Sequence, residues 1–206
     1  MNPGYVITSD SFYVKIRDID GNEVVHTSGG MVYTTTPGTM NVGDWYASNR
    51  LVSALSEITF SVQPLNPTAT KDVQIKLTLP TEDFELLPDP CEMEYYNQLV
   101  DSGSTVCETN AAENMLILSQ VLNERYSYEE LTRIEFSIND IKMPSSSRPT
   151  GQYQIDFLQS VDGTYRLVDT VKVTDKIRAV PGSLYEIDVE PLLGTTFTED
   201  TMTFEL

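Results

Sequence analysis

The chain is short of positive charge, of histidine and of cysteine, and each shortage removes a class of function. Its 206 residues hold 13 lysines and arginines against 31 aspartates and glutamates, for a net charge of −18. A nucleic-acid binder or a reader of anionic membrane surfaces needs a cationic patch. Neither class fits, whereas divalent cations or a basic partner do. The acids are scattered among apolar residues rather than massed, which separates the chain from acidic disordered segments. His26 is the only histidine. A serine–histidine–aspartate or cysteine–histidine arrangement would have to use it, and it lies outside the longest patterned stretch. We therefore expect no enzyme, no catalytic residue and no cofactor. Glycine-rich phosphate loops and zinc-type spacings are missing too. No run reaches the roughly 20 apolar residues of a membrane span, and Met1-Asn2-Pro3-Gly4-Tyr5 does not read as a signal peptide.

Only two cysteines occur, Cys91 and Cys107, and they flank a polar, turn-rich stretch. Free cysteines tend to sit in apolar surroundings, so a disulfide is the leading reading. A loop of about 15 residues closed in this way contributes on the order of 3 kcal/mol. It would also place the chain in an oxidising setting, extracellular or at a cell surface. Unpaired thiols remain an alternative, and a metal site would need ligands beyond two thiols.

What the chain has in quantity is period-two alternation. Val73, Ile75, Leu77 and Leu79 point one way and Gln74, Lys76 and Thr78 the other. Ile134, Phe136 and Ile138 alternate with Glu135, Ser137 and Asn139, and Tyr153, Ile155 and Phe157 with Gln154 and Asp156. Each series reads as a strand with one buried and one wet face. Met115-Leu116-Ile117-Leu118 is continuously apolar, as for a strand covered on both sides. Turn signals separate these runs, among them Leu65-Asn66-Pro67, Pro88-Asp89-Pro90, Asp20-Gly21 and Asp162-Gly163. Strands are expected near 57–63, 71–79, 84–87, 114–122, 132–141, 152–159, 164–173 and 176–180. A helix has a place only at 120–132, where the apolar spacing argues against it. This pattern predicts an all-β fold, a two-sheet sandwich of immunoglobulin type.

The chain also repeats itself out of phase. Pro3 aligns with Pro144, Phe12–Ile16 with Tyr153–Phe157, Asp20-Gly21 with Asp162-Gly163, and Pro37-Gly38 with Pro181-Gly182. Farther on, Ile58–Pro64 matches Tyr185–Pro191. A window on a tandem array looks like this. The division it implies is residues 1–40 as the late part of one repeat, 41–54 as an inter-repeat insertion or linker, 55–180 as a complete repeat, and 181–206 as the start of the next. Residues 1–40 and 185–206 are expected to be buried against neighbouring copies, with strand addition as one route.

Three features in order carry a resemblance: a strand ending in Leu79-Pro80, a Cys91-to-Cys107 loop, and an apolar strand after Asn114. The run from Ile134 through Asp140-Ile141-Lys142-Met143-Pro144-Ser145-Ser146-Ser147-Arg148-Pro149-Thr150 into Tyr153 then completes it. This resembles the tandem immunoglobulin-like repeats of very large ciliate surface proteins. Met143 departs from that pattern, which usually has asparagine there, whereas the N-terminal Asn2-Pro3 keeps it. The resemblance implies an extracellular filament or surface coat built from copies of the same unit, and it brings no catalytic residues. Independently, two prolines in the 144–150 segment stiffen it, as a bridge from one sheet to the other would require.

Some side chains stand out as candidates. Trp45, Tyr95 and Tyr96 are candidate members of an exposed contact patch for protein or glycan. Thr34, Thr35, Thr36, Ser145, Ser146, Ser147 and Thr150 are candidate O-glycosylation sites. Asp18-Ile19-Asp20-Gly21-Asn22-Glu23 could supply oxygen ligands to calcium, but such residues also favour hairpin turns for their own backbone bonds. The leading expectation is a structural protein that assembles with itself. An adhesin or receptor ectodomain binding through loops 88–110 and 41–54 is the alternative. A viral or phage fibre subunit is a third, which reduced cysteines would favour.

Overall fold

A computed structural model describes residues 4–9, 11, 14–26, 32, 34–86, 91–96, 98–101, 103–127 and 133–183, without the side chains of His26 and residues 94–96. The described elements are all strands: β1 (Lys15–Arg17), β2 (Glu23–His26), β3 (Met40–Val42), β4 (Tyr46–Ala47), β5 (Leu55–Pro64), β6 (Val73–Thr78), β7 (Glu85–Leu86), β8 (Met93–Tyr96), β9 (Val106–Asn110), β10 (Met115–Ser119), β11 (Ile134–Lys142), β12 (Gln152–Val161) and β13 (Thr164–Thr174). One sheet runs β13-β12-β6-β10-β9. The other is built on the β5–β11 ladder, with β3 and β4 pairing to β5 and β7 and β8 pairing to β11. The ladders are antiparallel, and the two sheets enclose one core as an immunoglobulin-like β-sandwich.

The alternation read from the sequence is what fills this core. Ile58, Phe60 and Val62 of β5 and Ile134, Phe136 and Ile138 of β11 face Val73, Ile75 and Leu77 of β6, Leu116 and Leu118 of β10, and Tyr153, Ile155 and Phe157 of β12; none is more than 2% exposed. Full burial of such a side chain stabilises by about 1.5–3 kcal/mol. Phe60 stacks on Phe136 with ring centres 5.4 Å apart. Two bulges adjust the pleat. In β11 the register shifts between Ile138 and Ile141, with Asp140 at φ 56°. The shift turns both isoleucines inward despite their odd spacing. In β13 a shift opposite Phe157 and Leu158 turns Val168 and Asp169 inward together.

Several expectations need correction. Residues 41–54, read as a linker, instead supply β3 and β4 to the sheet beside β5. β10 is covered on one face only, because Met115 and Ile117 remain partly exposed while Leu116 and Leu118 are buried. The polar cysteine stretch holds two strands, β8 and β9, each paired along a central apolar strand. No strand forms at 176–180, where Val180 makes a single parallel bridge to Leu51.

The described residues before β3 form an arm. At its base the Val6 N–H donates to the Leu167 carbonyl at 2.7 Å and the Thr35 N–H to the Ile7 carbonyl at 3.0 Å. Gly38 donates to Val168 and accepts from Thr170. The base therefore lies along the outer edge of β13, which links residues assigned to a separate repeat directly to this sandwich. Farther out, β1 and β2 make their own two-stranded ladder around the Asp18–Asn22 turn. Residues 184–206 lie outside the described residues.

Candidate functional site

Cys91 and Cys107 form a disulfide with Cα atoms 5.4 Å apart. Cys91 precedes β8 in one sheet and Cys107 lies in β9, the edge of the other. Strand alternation turns Cys107 and Thr109 toward the core and leaves Val106 and Glu108 more exposed. The bond is thus a covalent tie between the sheets along one open side of the sandwich.

Two buried carboxylates hold the joints between strands. Asp169, fully buried, accepts hydrogen bonds from the Leu65 N–H at 2.8 Å, the Asn66 N–H at 3.0 Å and the Asn66 side-chain amide at 2.5 Å. Burial pushes its carboxyl above the usual range, and the Asn66 and Leu65 donors offset part of that rise. Gly38 sits so close to Asn66 and Asp169 that a Cβ there would collide with both. Asp83 fastens the 144–151 segment: it accepts from the Gly151 N–H at 2.6 Å and from Arg148 Nη2 at 3.1 Å. That segment leaves β11 in one sheet and enters β12 in the other, the bridging role its prolines indicated.

The candidate residues separate sharply by burial. Trp45 is not a surface contact. It is 8% exposed and packs edge-on to Phe60 and Tyr153, with centroids 4.9 and 5.1 Å away. Thr35 is buried, with Oγ1 donating to the Tyr5 carbonyl at 2.8 Å and accepting from the Ile7 N–H at 2.9 Å. Thr150 is buried and hydrogen-bonded to the Tyr153 hydroxyl at 3.0 Å. Neither threonine is open to a sugar-transferring enzyme in the folded chain. Thr34, Thr36, Ser145 and Ser147 are exposed and Ser146 is half-buried. Tyr95 and Tyr96 lie in β8 beside β11, and their side chains are outside the described residues. His26 is the last residue of β2.

The acidic cluster at residues 18–23 makes a turn. Asp18 Oδ1 accepts from the Asp20 and Asn22 N–H groups at 3.0 and 2.8 Å, and Oδ2 accepts from the Asn22 side-chain amide at 3.1 Å. These donors, the Asn22 amide first, hold the exposed carboxyl below its ordinary range. Gly21 takes φ 84° to close the loop. Among the described residues, no group of three or more His, Cys, Asp or Glu side chains is placed to hold a metal ion.

The most unusual surface is the arm itself. Ile16, Val24 and Val25 are 52%, 62% and 49% exposed, and Ile19 at the turn is fully exposed. The register places Ile16 opposite Val25 on one face, whereas Lys15 and Arg17 project from the other, where Lys15 meets Glu23 at 3.4 Å. No pattern in the sequence marked this hairpin as standing apart, because its alternation matches that of hairpins packed in the core.

No protein-family model and no curated protein matches the chain. Several solved structures are similar. A cohesin module from the family 33 glycoside hydrolase of Clostridium perfringens is 14% identical at a TM-score of 0.43, over 72% of this chain and 100% of that one. The seventh ScaB type I cohesin of Pseudobacteroides cellulosolvens is 12% identical at 0.38, over 74% and 99%. Domains D2 and D3 of the major pilin SpaD of Corynebacterium diphtheriae are 10% identical at 0.35, over 65% and 49%. The sandwich assignment stands on the pairing and packing of the two sheets described above.

Proposed function

We propose that the chain is a non-catalytic structural module of an extracellular or cell-surface assembly, and that it associates with copies of itself through strand pairing. One observation supports this most strongly: a two-stranded apolar hairpin stands off the sandwich with its valines and isoleucines in solvent. A lone two-stranded hairpin is marginal in water, and an open apolar strand edge is a template for pairing. The inter-sheet disulfide suits an oxidising compartment and gives the reduced-thiol fibre reading no support. A filament or coat of such modules, similar to the ciliate repeats, is the finer form of this proposal. The adhesin alternative keeps one feature in its favour, a polar hollow of about 270 Å³ lined by Lys71, Asp72, Asp101, Ser104, Gln120 and Leu122. Of the centres it expected, Trp45 is in the core, and the Tyr95 and Tyr96 side chains lie outside the described residues.

Electron microscopy and light scattering of the oxidised protein test the proposal. Concentration-dependent oligomers or filaments with a sandwich-sized repeat are expected. Monomers at every concentration, with a glycan bound in the polar hollow, would replace it with the adhesin reading.

A further inference from the structure

The assembly proposal leaves open which surfaces meet, and the charge pattern of the arm narrows the choice. β1 is Lys15-Ile16-Arg17, a three-residue strand holding two of the chain's 13 basic residues in a molecule of net charge −18. Among the described residues β1 pairs with β2 alone. A strand added to its outer edge would therefore meet an apolar face bearing Ile16 and Val25 and a basic face bearing Lys15 and Arg17. The Lys15–Glu23 pair is half-exposed on both sides, and an ion pair so placed is weak and easily exchanged.

One segment of the sequence matches both faces. Tyr185, Ile187 and Val189 alternate with Glu186, Asp188 and Glu190, and Pro191 follows. As an extended strand it would carry three apolar side chains on one face and three carboxylates on the other. Set against β1, period two brings the apolar set beside Ile16 and the carboxylates beside Lys15 and Arg17. A shift of one residue reverses both matches, so the charges select the register.

We infer that β1 of one copy receives residues 185–190 of a second copy as an added strand. The inference rests on the self-assembly reading above and names its joint. The partner is a second copy of this chain, recognised by alternate apolar contacts and by opposite charge on the other face.

Two full-length variants test it, K15E/R17E in the arm and E186K/D188K/E190K in the tail, studied oxidised by sedimentation velocity. Wild type is expected to associate with rising concentration. Each variant alone sets like charges against each other at the joint, and its association constant should fall at least about tenfold, one 1.4 kcal/mol step or more. Mixed in equal amounts, the variants present two complementary joints and should recover association, which also shows that both are folded. Variants that associate like wild type would overturn this joint and leave self-assembly standing. Loss in both variants without recovery in the mixture would overturn it as well. A wild type that stays monomeric, including one whose tail docks on its own arm, would overturn the joint and the assembly reading together.

Discussion

Single buried polar groups govern how this sandwich responds to pH. Burial raises the Tyr165 phenol to about 12, helped by the Asp72 carboxylate that accepts its hydrogen bond at 2.7 Å, and burial raises Tyr153 further still. An unfolded tyrosine ionises near 10. Between that value and the folded values the unfolded chain has released protons that the folded chain keeps, so stability falls as pH rises. Tyrosinate absorbance should therefore rise in two phases, the later one coinciding with loss of the β signal in circular dichroism. Replacing Tyr153 and Tyr165 with phenylalanine should move that unfolding to higher pH. Asp169 has the same sign. Its raised carboxyl favours folding below the folded pKa, and that increment is lost as pH rises through it. Its donors matter more at neutral pH. Asp169→Ala removes the acceptor of the half-buried Leu65 and Asn66 N–H groups and should cost about 2 kcal/mol, read as a lower urea midpoint with an unchanged slope.

At the level of elements, the joints are turns and ties. The β12–β13 hairpin closes through Asp162 at φ 52° and Gly163 at φ 75°, both left-handed as a two-residue primed turn requires. Gly163→Val places a β-branched side chain in that region and should destabilise by about 1–2 kcal/mol; equilibrium denaturation measures it. The Cys91–Cys107 bond closes a separation of 16 residues that runs from just before β8 into β9. Changing both cysteines to serine should cost roughly 3 kcal/mol through loop entropy. β5, β11, β6, β12 and β13 do not depend on that loop, so hydrogen-exchange protection should weaken first in β8 and β9.

For the whole molecule, net charge sets the condition under which copies meet. Each copy carries −18, so long-range repulsion opposes association at low salt. The Debye length shrinks from about 30 Å at 0.01 M to about 8 Å at 0.15 M ionic strength. Contacts between opposite charges in the proposed joint are shorter than either length. Light scattering is therefore expected to show stronger association at 0.15 M than at 0.01 M salt. The opposite trend would mean that attraction between charges, not apolar pairing, dominates the joint.

Much of the sandwich was readable from alternation, since a half-buried strand must place every second residue in the core. The strands at 57–63, 132–141, 152–159 and 164–173 were visible in this way, as was the turn at Asp162-Gly163, whose chemistry is local. Tertiary structure decided the rest. β8 and β9 have no apolar rhythm of their own and exist as strands because β11 and β10 offer them hydrogen-bonding edges. Trp45 looked available because it falls in the 41–54 stretch read as an inter-repeat insertion, but β3 and β4 fold that segment onto β5 and drive the indole between Phe60 and Tyr153. Thr35 resembles its exposed neighbours in sequence and differs in the distant groups it meets, Tyr5 and Ile7, whereas Thr150 is enclosed beside Tyr153, three residues on. Local periodicity chose the strands and the face each would bury. Contacts between residues far apart in the chain chose which polar side chains are enclosed and left the arm in solvent, because burial is a property of neighbours that one-dimensional pattern does not contain.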